Sequence, residues 1–164
     1  MRADRLAVLL ILLLTLIPAY GFSGKVVSIT DGDTLKVLHA GRIEKIRLSS
    51  IDAPEHNQDF GQRAKQFVFR RCYGRMVTIQ EFGKDRYGRT IGEVIQSDGA
   101  DLNHALVEAG LAWWYQKYAP HDLELSKLER GARNQHLGLW SVPNPVPPWD
   151  FRHHRSTLIE VEKC

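Results

Sequence analysis

Six charged residues fall where a chain usually turns or a strand ends. They are Asp31 and Asp33 in "DGDT", Arg47, Asp52 and Glu55 in "IRLSSIDAPE", and Arg89 at the close of "DRYGR". Asp and Gly are the commonest turn residues, so "DGDT" alone specifies a turn and no chemistry. The second stretch adds to it. Asp52 falls just past a strand, Pro54 fixes the backbone beside it, and Glu55 follows. If the first and third strands lie side by side in the barrel, Asp33 and Asp52 converge. Two carboxylates about 4 Å apart repel by roughly 1 to 4 kcal/mol, depending on the effective dielectric. A cation between them keeps both ionised. Carboxylates, a main-chain carbonyl and waters form an oxygen-only donor set, which suits Ca²⁺ or Mg²⁺; no CxxC or Cys/His spacing points to zinc. Arg47 and Arg89 each read as an ordinary surface arginine, Arg47 pairing with a nearby acid, or as one half of a clamp, because a guanidinium fork matches two phosphate oxygens. An ion, two arginines and a spare carboxylate make a phosphoryl-transfer set: a Lewis acid, charge stabilisers and a group that orients water.

Positioning these residues requires a sheet. "GKVVSIT" (24–30), "TLKVLHA" (34–40) and "IEKIRLS" (43–49) read as a three-strand meander that ends before Pro54. "MVTIQEF" (76–82) and "GRTIGEVI" (88–95) supply two more strands around the charged turn "GKDRYG". Between the two groups, residues 59–74 have helical spacing, with Phe60, Ala64, Phe67 and Val68 on one stripe and Gly74 as a stop. A second helix over 101–110 starts at Asp101 as N-cap and turns Leu102, Ala105, Leu106 and Ala109 inward. A third, over 121–138, buries Leu125, Leu128 and Ala132. The pattern is that of a small β-barrel with appended helices. The tail "SVPNPVPPWDFRHHR" holds four of the seven prolines. Its composition predicts neither helix nor central strand, but an extended segment that packs Trp149 and Phe151 on the domain. Arg152, His153, His154 and Arg155 read as a solvated basic terminus.

The 164 residues suffice for one domain with a core, and a net charge of +3 is too mild to imply nucleic acid by itself. The first residues stand apart. Arg2 and Arg5 precede a 12-residue apolar run from Leu6 to Ile17, then Pro18, Ala19 and Gly21. That is the grammar of a secretory signal peptide over 1–21, and the run is shorter than the roughly 20 residues a spanning helix needs. An uncleaved anchor is the lesser alternative. The expected location is secreted or periplasmic, with no membrane association after cleavage. Export permits a disulfide between Cys72 and Cys164, worth on the order of 4 kcal/mol if unstrained. Two separate thiols fit the sequence equally.

"VVSITDGDTLKV", "IRLSSIDAPE", "FGQRAKQFV", "DRYGRTIGEV", "LNHALVEAGLAW" and "GLW" follow one another in an order and spacing that resembles the staphylococcal nuclease family, or thermonucleases. "NPVPPWDFR" is similar to the tail of its proteobacterial members. The resemblance spans roughly residues 24–152. It implies an α+β, mainly β, fold: a five-stranded OB-fold barrel with three helices over 22–141, and a proline-rich tail over 142–164. It also implies an endonuclease that hydrolyses DNA and RNA with one Ca²⁺ ion, Mg²⁺ being the lesser alternative. A stable protein partner is not implied, and the chain would act as a monomer.

By motif match, Asp33 and Asp52 would be carboxylate ligands, the Ala53 main-chain carbonyl a third ligand, and Asp31 an acid one layer out. Glu55 would orient or deprotonate water, Arg47 and Arg89 would bind phosphate, and Tyr87 would lie near phosphate and sugar. Three departures stand out. Ala53 replaces the founding member's threonine. Of the two base-stacking aromatic positions, Tyr118 fits one, while Gln116 falls at the other with Tyr115 beside it. The loop "HNQDFGQ" is short. The alternative is a non-catalytic nucleic-acid-binding OB module, which has no need of Asp33, Asp52, Glu55, Arg47 and Arg89 together.

Overall fold

Alternation between buried and exposed side chains organises the sheet, as the pleat requires. In the computed structural model, which describes residues 21–153, β1 (Gly21–Ile29), β2 (Thr34–His39) and β3 (Arg42–Leu48) form an antiparallel meander. After β4 (Ile51–Asp52) and α1 (Gly61–Cys72) come β5 (Met76–Lys84) and β6 (Thr90–Gln96), joined as a second antiparallel pair. β5 pairs with β1, and β6 runs parallel to β3, so the order β1-β2-β3-β6-β5 closes on itself. This is the five-stranded OB-type barrel that the resemblance implies, and closure leaves the barrel no free edge. Val26, Leu35, Val37, Ile46, Leu48, Ile79 and Val94 fill it at 1% exposure or less.

Three helices cover the barrel. α1 buries Ala64 and Val68, with Phe60 and Phe67 partly buried against the same core. α2 (Leu102–Glu108) is capped by Asp101, whose carboxylate accepts the amides of Asn103 and His104. Its inward face holds Leu102, Leu106, Val107 and the polar Asn103. α3 (Leu123–Asn134) is capped by Asp122 and buries Leu125, Glu129 and Ala132. It ends four residues before the expected Gly138. His136 takes a left-handed φ of 52°, and the Leu137 amide folds back onto the Ala132 carbonyl, so the chain leaves the helix early.

A two-residue strand, β7 (Trp113–Trp114), pairs antiparallel with β4 outside the barrel. Nothing in the local sequence distinguishes so short a strand. The tail packs on the domain as expected, with Trp149 against the cluster of Trp113, Ala132, Leu139 and Trp140. One expectation fails: residues 148–153 are helical. Pro148 opens that helix, where its missing N–H costs nothing and its fixed φ suits the first turn. Cys72 is a buried free thiol, pushed up to about 11 by burial, and Cys164 lies outside the described residues. So does the expected signal segment, apart from Gly21, which opens β1 opposite Gln80. Among the described residues no helix is long and apolar enough to cross a membrane.

Candidate active site

The β1–β2 turn brings Asp31 and Asp33 to one mouth of the barrel. Thr30 and Asp31 donate their amides to the Thr34 carbonyl, at 2.9 and 3.3 Å, and Asp31 Oδ1 accepts the Asp33 amide at 3.3 Å. The Leu48 amide donates to the Asp33 carbonyl at 2.9 Å, which fixes the turn to β3. Gly32 makes this approach feasible. A Cβ there would lie 2.7 Å from the Cβ of Ala64 and 2.8 Å from that of Ala53, closer than carbon atoms pack. The small side chain at Ala53 and the absent one at Gly32 let the two acidic turns touch.

β3 and β4 supply the rest. Arg47 is the cross-strand partner of Thr34, adjacent to Asp33. Ser50 reverses the chain at φ 61°, and β4 then carries Asp52 back, held by the Asp52–Trp113 pairing. The first and third strands are not neighbours, because β2 lies between them, yet the two acids from separate turns meet on one nitrogen of β3. Arg47 Nη2 lies 2.8 Å from Asp52 Oδ1 and 3.2 Å from Asp33 Oδ2. Arg47 Nη1 donates to the carbonyls of Leu48 and Ile51, at 2.6 and 3.0 Å. Asp33 also accepts the Ala53 amide at 2.8 Å and the Thr34 hydroxyl at 3.0 Å. Burial pushes the Asp31 carboxyl up to about 6, helped by the neighbouring charge of Asp33. Burial also raises Asp52, against the pull of Arg152 and Arg47. At 1% exposure Asp52 is a buried carboxylate that needs its cations.

Glu55 lies on the loop after β4. The loop is pressed against the start of α1, because a Cβ at Gly61 would overlap the Glu55 carbonyl. The Glu55 side chain is joined to Asp52 by a residue read as solvent-facing. Arg152 Nη1 donates to Glu55 Oε1 at 2.7 Å and to Asp52 Oδ1 at 3.4 Å, and its Nη2 donates to Asp52 Oδ2 at 2.7 Å. The basic terminus is therefore not merely solvated: its first arginine closes the carboxylate cluster. Burial opposes the charge of Arg152, but its bonds to Asp52 and Glu55 prevail and raise its pKa. The signal that could have revealed it is the proline pair 147–148, which starts a helix, followed by Trp149 as an anchor.

The anticipated arginine clamp is not assembled in this arrangement. All four described bonds of Arg47 go to the two acids and two carbonyls, while Arg89 Nε bonds Asp85 Oδ2 at 2.6 Å. Arg89 precedes β6, two residues before Ile91, the register partner of Arg47, so the two arginines approach the same end of the β3–β6 pair. Tyr87 is exposed, its ring beneath Arg86 and Arg89. Tyr115 stacks on Trp149 at 4.9 Å and 8°, and meets Tyr118 edge-on at 4.9 Å. Trp113, Tyr115, Lys117, Arg133, Trp149 and His153 line part of a cleft of about 470 Å³. Burial and then the charge of Asp52 raise the Tyr115 hydroxyl. Asn103, which composition did not single out, donates to the Ser49 carbonyl at 3.0 Å and accepts the Val94 amide at 3.3 Å, tying α2 to the strands beneath the site.

Among the described residues no group of three or more His, Cys, Asp and Glu side chains stands ready to hold a metal ion. The donor chemistry of the pair nonetheless fits a hard cation. Asp33 and Asp52 share one guanidinium nitrogen, and both offer carboxylate oxygens.

A family model described as "Staphylococcal nuclease homologue" matches residues 45–142. The chain is 43% identical over 132 residues to an uncharacterized endonuclease of Escherichia coli O157:H7, covering 80% of this chain and 86% of that protein. It is 40% identical over 152 residues to a micrococcal nuclease of Shigella flexneri, covering 87% of each. To an uncharacterized endonuclease of Haemophilus influenzae it is 39% identical over 129 residues, 78% of this chain and 71% of that one. With the barrel and the order of its motifs, these matches establish that the chain belongs to the staphylococcal nuclease family.

Proposed function

We propose that the protein is an endonuclease that hydrolyses phosphodiester bonds of DNA and RNA with one bound Ca²⁺. The observation that carries this reading is the convergence of Asp33 and Asp52, from two separate turns, on a single nitrogen of Arg47. The family and the nuclease relatives support the reaction class. Asp33 and Asp52 would hold the ion, with the Ala53 carbonyl as a third ligand and Asp31 supporting from one layer out. The ion would polarise a phosphate oxygen as a Lewis acid and neutralise the carboxylates. Glu55 orients or deprotonates the attacking water at the edge of the cluster, where its carboxylate is partly exposed. Arg47 and Arg89 present guanidinium forks to the non-bridging oxygens and stabilise the charge that builds on them. Tyr87, Tyr115 and Tyr118 flank the substrate, and the aromatic cleft beside Tyr115 seats an unpaired base.

We also infer that the protein is exported as a monomer to the periplasm or medium. Removal of residues 1–21 would leave Phe22 to begin β1, still paired with Ile79.

The test is hydrolysis of single-stranded DNA and of RNA by the purified protein, with calcium, with magnesium and with chelator. Cleavage that requires calcium supports the reading. Cleavage indifferent to chelator would exclude the ion, and no cleavage of either substrate would exclude the nuclease.

A further inference from the structure

The tail carries a residue that the motif-based site lacks. The matched family segment ends at residue 142, ten positions before Arg152. Arg152 nevertheless makes three bonds of 2.7 to 3.4 Å to Asp52 and Glu55. It is not carried there by a loose end. Pro148 is buried and opens a helix, Trp149 stacks on Tyr115 and meets Trp113 edge-on at 5.8 Å, and Gln58 donates to the Val146 carbonyl. The segment is thus anchored on both sides of the site.

We propose that Arg152 is a positioning residue of the reaction centre, and that its guanidinium and the divalent ion exclude one another at Asp52 and Glu55. This rests on the ion-dependent reading above. Asp52 Oδ2 bonds Arg152 Nη2 at 2.7 Å, and Asp52 Oδ1 is shared between Arg47 and Arg152. A calcium ion on either oxygen would sit about 2.4 Å from it. It would then face the Arg152 charge within about 5 Å, across a carboxylate that is itself buried. Arg152 must therefore leave Asp52 when the ion is seated. Its side chain is 44% exposed, against 1% for that of Asp52, so the arginine has a route to solvent and the carboxylate does not. Glu55 is released in the same movement, because one guanidinium nitrogen holds it. In the ion-free protein Arg152 keeps both carboxylates in place; in the loaded protein Glu55 is free to address water.

The experiment is calcium titration by calorimetry, with no nucleotide present, on the wild-type protein, on Arg152→Gln, and on Lys36→Gln, which removes an exposed charge from β2. Hydrogen exchange of residues 148–153 in the wild type, with chelator and with saturating calcium, accompanies it. The expected result is that Arg152→Gln binds calcium at least tenfold more tightly than wild type, that Lys36→Gln changes affinity less than twofold, and that calcium speeds exchange in 148–153. Equal affinity in wild type and Arg152→Gln, or an equal gain in Lys36→Gln, would overturn the exclusion while leaving the ion site standing. Exchange in 148–153 unaltered by calcium would overturn it even if the variant did not fold. If neither wild type nor Arg152→Gln took up calcium, the ion-dependent reading itself would fall.

Discussion

Replacing Arg47 with alanine tests the convergence at its centre. Asp33 and Asp52 are 7% and 1% exposed, and their oxygens lie 3.2 and 2.8 Å from one Arg47 nitrogen. Those oxygens are therefore within about 6 Å of each other. At an effective dielectric of about 20, two unit charges at that separation repel by about 3 kcal/mol. Removing one partner of a buried ion pair costs about 3 to 5 kcal/mol in other proteins. Arg152 still serves Asp52 from its other side, which lowers the expected loss to about 2 to 4 kcal/mol, or roughly 10 °C in melting temperature for a domain of this size. The assay is urea unfolding at pH 7, followed by tryptophan fluorescence, in chelator and in calcium. In chelator Arg47→Ala should lose that much stability. Calcium should restore more stability to the variant than it adds to wild type, because the ion takes over the lost charge. A loss below 1 kcal/mol in chelator would show that the two carboxylates do not form a repelling buried pair, and the site would have to be redrawn.

Glu55→Gln and Arg89→Ala should each lower turnover several hundred-fold, about 3 to 4 kcal/mol of barrier, with an unchanged circular dichroism spectrum; near-normal turnover in either would remove that residue from the mechanism. Gly32→Ala should destabilise by about 1 to 3 kcal/mol in urea unfolding, because the new Cβ meets Ala64 and Ala53 at 2.7 and 2.8 Å and forces the Asp31–Asp33 turn outward. Burial raises the Glu129 carboxyl above its ordinary 4.5, so the native state keeps that proton to higher pH than the unfolded chain does. The stability Glu129 contributes accordingly falls as pH climbs from the ordinary range through the raised value. Glu129→Gln has no such dependence and should gain on wild type between pH 4 and pH 7, as paired thermal melts would show.

The barrel was legible because strands announce themselves locally. The β-branched residues of β1 and β2 and the charged turn bounded by Gly83 and Gly88 between β5 and β6 place those strands to within a few residues. Asp101 as a helix cap was equally plain, since capping needs only residues one turn apart. What escaped was non-local or a matter of fit. The Asp52–Trp113 pairing joins residues far apart through a strand two residues long, and no periodicity can mark it. The early end of α3 turns on the left-handed His136, a conformation that histidine signals far more weakly than glycine does. The acids and arginines of the site could be named in advance from their motifs, but not their partners. The contacts of Arg47 with Asp33 and Asp52 join residues from separate turns, and the residue types alone do not say which acid it meets.

The contact between Asp52 and Arg152 also bears on when the site can form during synthesis. Asp31, Asp33 and Arg47 can meet once the meander has emerged, and Asp52 gains its strand partner when Trp113 follows. Arg152 follows Asp52 by 100 positions, which at ordinary translation speeds is about 5 to 20 s. For that interval the nascent acids have no guanidinium from the tail. A chain released early, or trimmed by a protease before residue 152, would carry a barrel whose carboxylate cluster had never been closed.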